Sequence, residues 1–114
     1  MIYGTGPFDN DWAFTEFGVV VLTIADRVDA EVSELRTKPL QADQAVVAMV
    51  CSLRALGKVC PKGMSASLTP DRVKHWQKEF FAWYDEVKRK LPAKYREQIK
   101  ADAEKEFAQL LKYW

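Results

Sequence analysis

The sequence predicts an all-α fold, a compact bundle of about four helices preceded by a glycine-rich N-terminal arm. Three observations lead there. Apolar side chains recur at steps of three and four along four separate stretches, the spacing that puts them on one face of a helix. Thr69-Pro70-Asp71 reads as a helix start, with a capping hydroxyl, a proline at the first helical position and an acid suited to the dipole. The chain has 114 residues, 48% of them apolar and 29% charged. That is enough for one soluble helical domain spanning residues 1–114 and too little for two.

The arm comes first. Gly4, Gly6 and Pro7 break both helix and strand between Met1 and Phe8. Asp9-Asn10-Asp11 follows and can cap a helix. The first helix is expected from about Asn10 to Arg36, with Phe14, Phe17, Val21, Ile24, Val28, Val32 and Leu35 on its stripe. Val19, Val20, Leu22 and Ala25 widen that stripe, so the middle of this helix is expected to be buried on nearly all sides. The run Val19-Val20-Val21 also suits a strand; the unbroken stripe on both sides decides for helix.

Thr37-Lys38-Pro39 ends that helix, because a residue before proline avoids helical angles. A second helix is expected from Ala42 to Leu56, with Val46, Met49, Val50 and Leu53 inward and Gly57 as a left-handed cap. Lys58 to Leu68 contains Pro61 and Gly63 and reads as a loop. The third helix runs from Thr69-Pro70 to about Leu91 on Val73, Trp76, Phe80, Trp83 and Val87. Pro92 opens the fourth, which reaches nearly to Trp114 with Tyr95, Ile99, Ala103, Phe107, Leu110, Leu111 and Trp114 inward.

Several chemistries are tested and set aside by spacing. Asp9-Asn10-Asp11 fails as a calcium loop, because the sixth and twelfth positions are Phe14 and Val20 instead of Gly and Glu. Gly4-Thr5-Gly6 lacks the third glycine and the preceding strand of a dinucleotide site. Cys51 and Cys60 stand nine residues apart, without a Cys-x-x-Cys pair, and are expected to be reduced structural thiols. No cofactor or metal is expected. The longest apolar stretch, Phe17 to Ala25, is too short to span a membrane. No secretory leader is evident, so a cytoplasmic location is expected.

The one histidine, His75, shares a helix face with Asp71 and Glu79, each four residues away. A solvated polar stripe accounts for them. A small hydrolase or ligand-binding enzyme using the three is the alternative reading.

Charge is unevenly distributed. Residues 1–36 carry a net −5 and residues 37–114 a net +6, within a total of +1. This balance does not suggest a nucleic-acid binder, and Lys88-Arg89-Lys90 suits a helix C-terminus. Asp26, Asp29 and Glu34 lie off the apolar stripe of the first helix, where an acidic patch can steer a basic partner.

The stretch Tyr3-Gly4-Thr5-Gly6-Pro7-Phe8-Asp9-Asn10-Asp11, followed by Ala13, resembles the opening of a bacterial family designated domain of unknown function 4259. The resemblance implies a small bacterial or phage-borne cytoplasmic helical domain and supplies no catalytic residues. Small size, the uneven charge and the missing catalytic constellation make the leading expectation a non-enzymatic protein-binding domain: an immunity or inhibitor protein that blocks a bacterial toxin or nuclease through Asp26, Asp29 and Glu34, with the glycine arm contributing. A structural homodimer is a further alternative, motivated by the aromatic excess of the last two helices.

Overall fold

A computed structural model describes residues 11–38 and 41–114. The arm and its glycines lie outside the described residues, as do Asn10, Pro39 and Leu40. The described residues form five helices and no strand. They are α1 (Asp11–Ser33), α2 (Ala42–Val59), α3 (Pro61–Ser67), α4 (Pro70–Val87) and α5 (Ala93–Leu110), and a 3-10 turn (Leu111–Tyr113) closes the chain. The bundle measures 53 × 21 × 20 Å. None of these helices is long and apolar enough to cross a membrane.

Helix α1 is the floor of the bundle. Phe17, Val21, Ala25, Val28 and Val32 are its buried ridge. Each step is three or four residues, so the ridge stays on one side for the length of the helix. The valine run is helical, as the stripe predicts. Expected burial on all sides is corrected, however: Val19 is 53% exposed, Val20 45% and Leu22 41%. Only one face of α1 meets other helices, and these three residues lie off it. The helix also stops at Ser33, short of Arg36, and tightens through three-residue turns such as Leu35 N–H to the Val32 carbonyl at 3.3 Å.

Helix α2 buries Val46, Val50 and Leu53 against that floor. It runs past Gly57 to Val59, so Gly57 is interior to the helix and is no left-handed cap. The actual cap is Cys60, whose N–H donates to the Leu56 carbonyl at 3.1 Å. Gly57 is there for space. A Cβ at this position would run into the ring of Tyr113, whose hydroxyl donates to the Arg54 carbonyl at 2.8 Å. The C-terminal turn is thus pinned onto α2.

The segment expected as a loop, Lys58 to Leu68, instead contains α3. Pro61 sits at its first position and needs no donor there. Met64 is fully buried and Leu68 is 1% exposed, one turn apart on the face toward the core. Close approach to α1 explains the small residues. A Cβ on Gly63 would meet the Phe17 ring, and one on Gly18 would come within 2.8 Å of the Ser67 hydroxyl.

Helix α4 starts as read: the Thr69 hydroxyl accepts from the Arg72 N–H at 3.4 Å, with Pro70 in the first turn. It stops at Val87, short of Leu91. Its aromatic side chains are core. Trp76, Phe80 and Trp83 are fully buried, and Phe80 meets Phe107 of α5 at a ring separation of 6.0 Å. The largest aromatic side chains that suggested a dimer through the last two helices are therefore packed inside the molecule. Tyr95 and Trp114, expected inward, are 53% and 38% exposed.

Gly57 and Tyr113 form a testable pair. Gly57→Ala gains roughly 1 kcal/mol of helix propensity but displaces the Tyr113 ring and its hydrogen bond. In the intact chain the substitution is expected to be neutral to destabilising. In a Tyr113→Ala background it should stabilise by up to about 1 kcal/mol. Urea unfolding of the four variants of this cycle reads out the change of sign; equal effects in both backgrounds would contradict the packing.

Candidate functional site

The acidic residues singled out in the sequence are occupied to different degrees. Arg72 of α4 reaches across to α1, where one of its nitrogens donates to Asp26 at 2.7 Å and to Asp29 at 2.5 Å. The second Asp29 oxygen accepts from the Trp76 indole N–H at 2.6 Å. The Arg72 guanidinium also lies 5.9 Å from the centre of the Trp76 ring. Asp29 therefore fastens α4 to α1. Burial pushes its carboxyl up, but the hydrogen bonds from Arg72 and Trp76, with the nearby positive charges, outweigh that and hold it below the ordinary 3.8. The hydrogen bond to Asp29 in turn raises Arg72, against the opposing effect of burial.

Asp26 shares Arg72 but remains 76% exposed at its side chain. Glu34 pairs with Lys38 one turn on, at 3.4 Å. Nearby, Arg36 grips both oxygens of Glu86 at 2.8 and 3.0 Å, a second tie to α4. The three acids thus do not form one free patch. Asp29 is part of the helix packing, and Asp26 and Glu34 edge the outer surface.

Asp71 and His75 are exposed on α4, and neither lines the cavity between α2 and α5. Glu79 is half-buried and turns to Arg36 at 3.9 Å. Among the described residues no group of three His, Cys, Asp or Glu side chains is placed to hold a metal ion. Cys51 and Cys60 are both free thiols.

A cavity of about 400 Å³ opens between α2 and α5, lined among others by Asp43, Cys51, Ile99, Asp102 and Glu106. Two of its lining residues are held by Arg54 of α2, which donates to Glu106 at 2.7 Å and has another nitrogen 3.4 Å from the Cys51 sulfur. The hydrogen bond to Glu106 raises Arg54 above its ordinary value. Arg54 and Glu106 neutralise each other and tie α5 to α2.

The remaining feature is the outward face of α1. At 100° per residue, Trp12, Val19, Thr23 and Ala30 lie along the meridian opposite the buried ridge. All four are exposed. Val20 and Leu22 flank them, and Trp12 is 81% exposed. An indole in water beside four aliphatic side chains is the pattern of a contact surface. The sequence pattern puts Val19, Val20 and Leu22 in the core and does not single out Trp12, Thr23 or Ala30. A stripe of hydrophobics around a helix does not say on how many sides neighbours stand.

Comparison with protein-family models, with curated proteins and with solved structures found no match.

The Asp29 tie predicts a pH dependence. A carboxyl held low in the native state contributes its stabilisation in full above the unfolded value near 3.8, and loses it as pH falls through the lower native value. Stability should therefore drop below about pH 4, and by less in Asp29→Asn. The side chain is 46% exposed, so the difference at neutral pH should be no more than about 1 kcal/mol. Denaturant midpoints of the two proteins across the acid range test this; parallel curves would remove Asp29 from the α1–α4 contact.

Proposed function

We propose that this chain is a protein-binding domain that acts by docking, and that its docking surface is the outward face of α1. The observation that carries this reading is the strip formed by Trp12, Val19, Val20 and Leu22, each at least 41% exposed. Burying such side chains against a partner is worth roughly 25 cal/mol per Å². A tryptophan at the end of the strip is the residue type that most often dominates an interface. The mixed rim of Glu16, Asp26 and Arg27 gives the strip a polar border.

The acidic residues enter as border rather than as centre. Asp26 stands beside the strip, whereas Asp29 is engaged by Arg72 and Trp76. An immunity or inhibitor protein is the more specific form of this reading, with a basic toxin or nuclease as the occupant. The His75 alternative has no comparable support, since His75 and Asp71 stand on an open helix surface.

A photo-crosslinking amino acid in place of Val19 should give a protein adduct of one discrete mass in cells that make the protein. The same group in place of Lys74, exposed on α4, should give none. Val19 adducts should vanish when Trp12→Asp is added. Absence of any adduct from position 19, or equal adducts from both positions, would overturn the docking face.

A further inference from the structure

We propose that the occupant of the α1 face is a second copy of this chain, laid antiparallel across a two-fold axis close to Val21. This rests on the reading of that face as a docking surface. What it adds is the partner, and the pattern of the face itself argues for that partner.

A two-fold interface must be self-complementary: if residue i meets residue j, then j meets i. In an antiparallel pair of helices each residue faces one whose number mirrors it about the axis. Mirroring about position 21 sets Trp12 opposite Ala30 and Val19 opposite Thr23. The largest side chain meets the smallest on the same meridian, exactly five turns away. The two middle residues are similar in size. The Thr23 hydroxyl donates to the Val19 carbonyl of its own helix at 2.7 Å, so it asks no hydrogen bond of a partner.

The charges follow the same symmetry. Glu16 and Arg27 lie on one flank of the strip, within about 20° of each other around the helix. Antiparallel helices bring like flanks together. The mirror position of Glu16 is 26, where Asp26 lies on the other flank; Arg27, one residue further and on the flank of Glu16, is the side chain that Glu16 of the other copy meets, twice per dimer. Within one chain the two are about 16 Å apart along the axis and cannot pair. Glu16 makes no ion pair among the described residues. Among the described residues Arg27 pairs with Glu31 at 3.9 Å, and its side chain is 66% exposed. A parallel pair would set Glu16 against the flank of Leu22 and lose both ion pairs. Leu22, on the other flank near the axis, meets its own copy in the antiparallel arrangement.

The size of the contact sets its strength. A 23-residue helix is about 34 Å long, and a strip one helix wide buries less than ~1,200 Å² over two copies. That places the dimer among weak associations, with dissociation in the micromolar range.

Sedimentation equilibrium between about 1 and 200 µM tests the proposal, with helicity of every variant checked by circular dichroism. The wild-type chain should move from monomer to dimer across that range. Val19→Asp should raise the dissociation constant at least about tenfold without loss of helicity. Glu16→Arg should weaken the dimer, and Glu16→Arg with Arg27→Glu should restore it, which only a contact between copies can explain. A monomer at every concentration, or a dimer indifferent to Val19→Asp, would overturn the proposal; so would a charge swap that fails to restore the dimer. The photo-crosslink separates the outcomes. An adduct of twice the chain mass supports the second copy. An adduct with a different protein from a monomeric chain overturns the second copy and leaves the docking face standing. No adduct overturns both.

Discussion

One helix carries the architecture. The ridge Phe17–Val21–Ala25–Val28–Val32 on α1 is the surface against which α2, α3 and α4 bury their own apolar faces. The other helices contribute to the same core, but they do so by leaning on that ridge. Its small members matter as much as its large ones. Ala25 is fully buried, and the glycines at 18 and 63 let α3 sit close enough for Met64 to reach the interior. A bulkier ridge would hold the neighbours off and leave voids that cost stability.

Polar ties then join α4 to α1 and α5 to α2. Arg72 and Trp76 fasten α4 to α1 through Asp29, and Arg36 adds a second fastening through Glu86. Arg54 and Glu106 join α2 to α5, and Tyr113 ties the end of the chain back to α2. The uneven charge along the sequence has its physical outlet here. Acids of the first helix meet bases carried much later in the chain, so part of the negative patch that looked available for a partner is neutralised within the fold. Exposed ties of this kind are worth little individually. Their role is to select one arrangement among several that the apolar faces would tolerate.

A helix with three neighbours on one side keeps its other side. On α1 that side carries Trp12, Val19, Val20 and Leu22 among its polar residues, and these exposed apolar side chains carry the functional reading. On the proposed reading, the same long helix serves the fold with one meridian and offers the opposite one for docking. The two faces are separable by substitution, because Val19 and Trp12 are exposed while Val21 and Phe17 are buried in the ridge.

Much of the fold is legible in the residues. Helical periodicity, the Thr69-Pro70-Asp71 start and the break after α1 all follow from local rules, because backbone capping and amphipathic spacing act over four residues or fewer. In isolation Pro61 and Gly63 look like breakers and give Lys58–Leu68 the pattern of a loop; in the fold Pro61 starts α3 and Gly63 is a close contact with Phe17. Gly57 looked like a cap and is a seat for Tyr113, a residue 56 positions away. The middle of α1 looked buried all round because a sequence records which side chains are apolar and not how many faces are covered. Local chemistry along the chain determined that these segments are helices and which side chains want shelter. Tertiary structure alone decided which of them receive it, since shelter is supplied by residues distant in sequence, and those left without it on α1 mark the surface that a second molecule would cover.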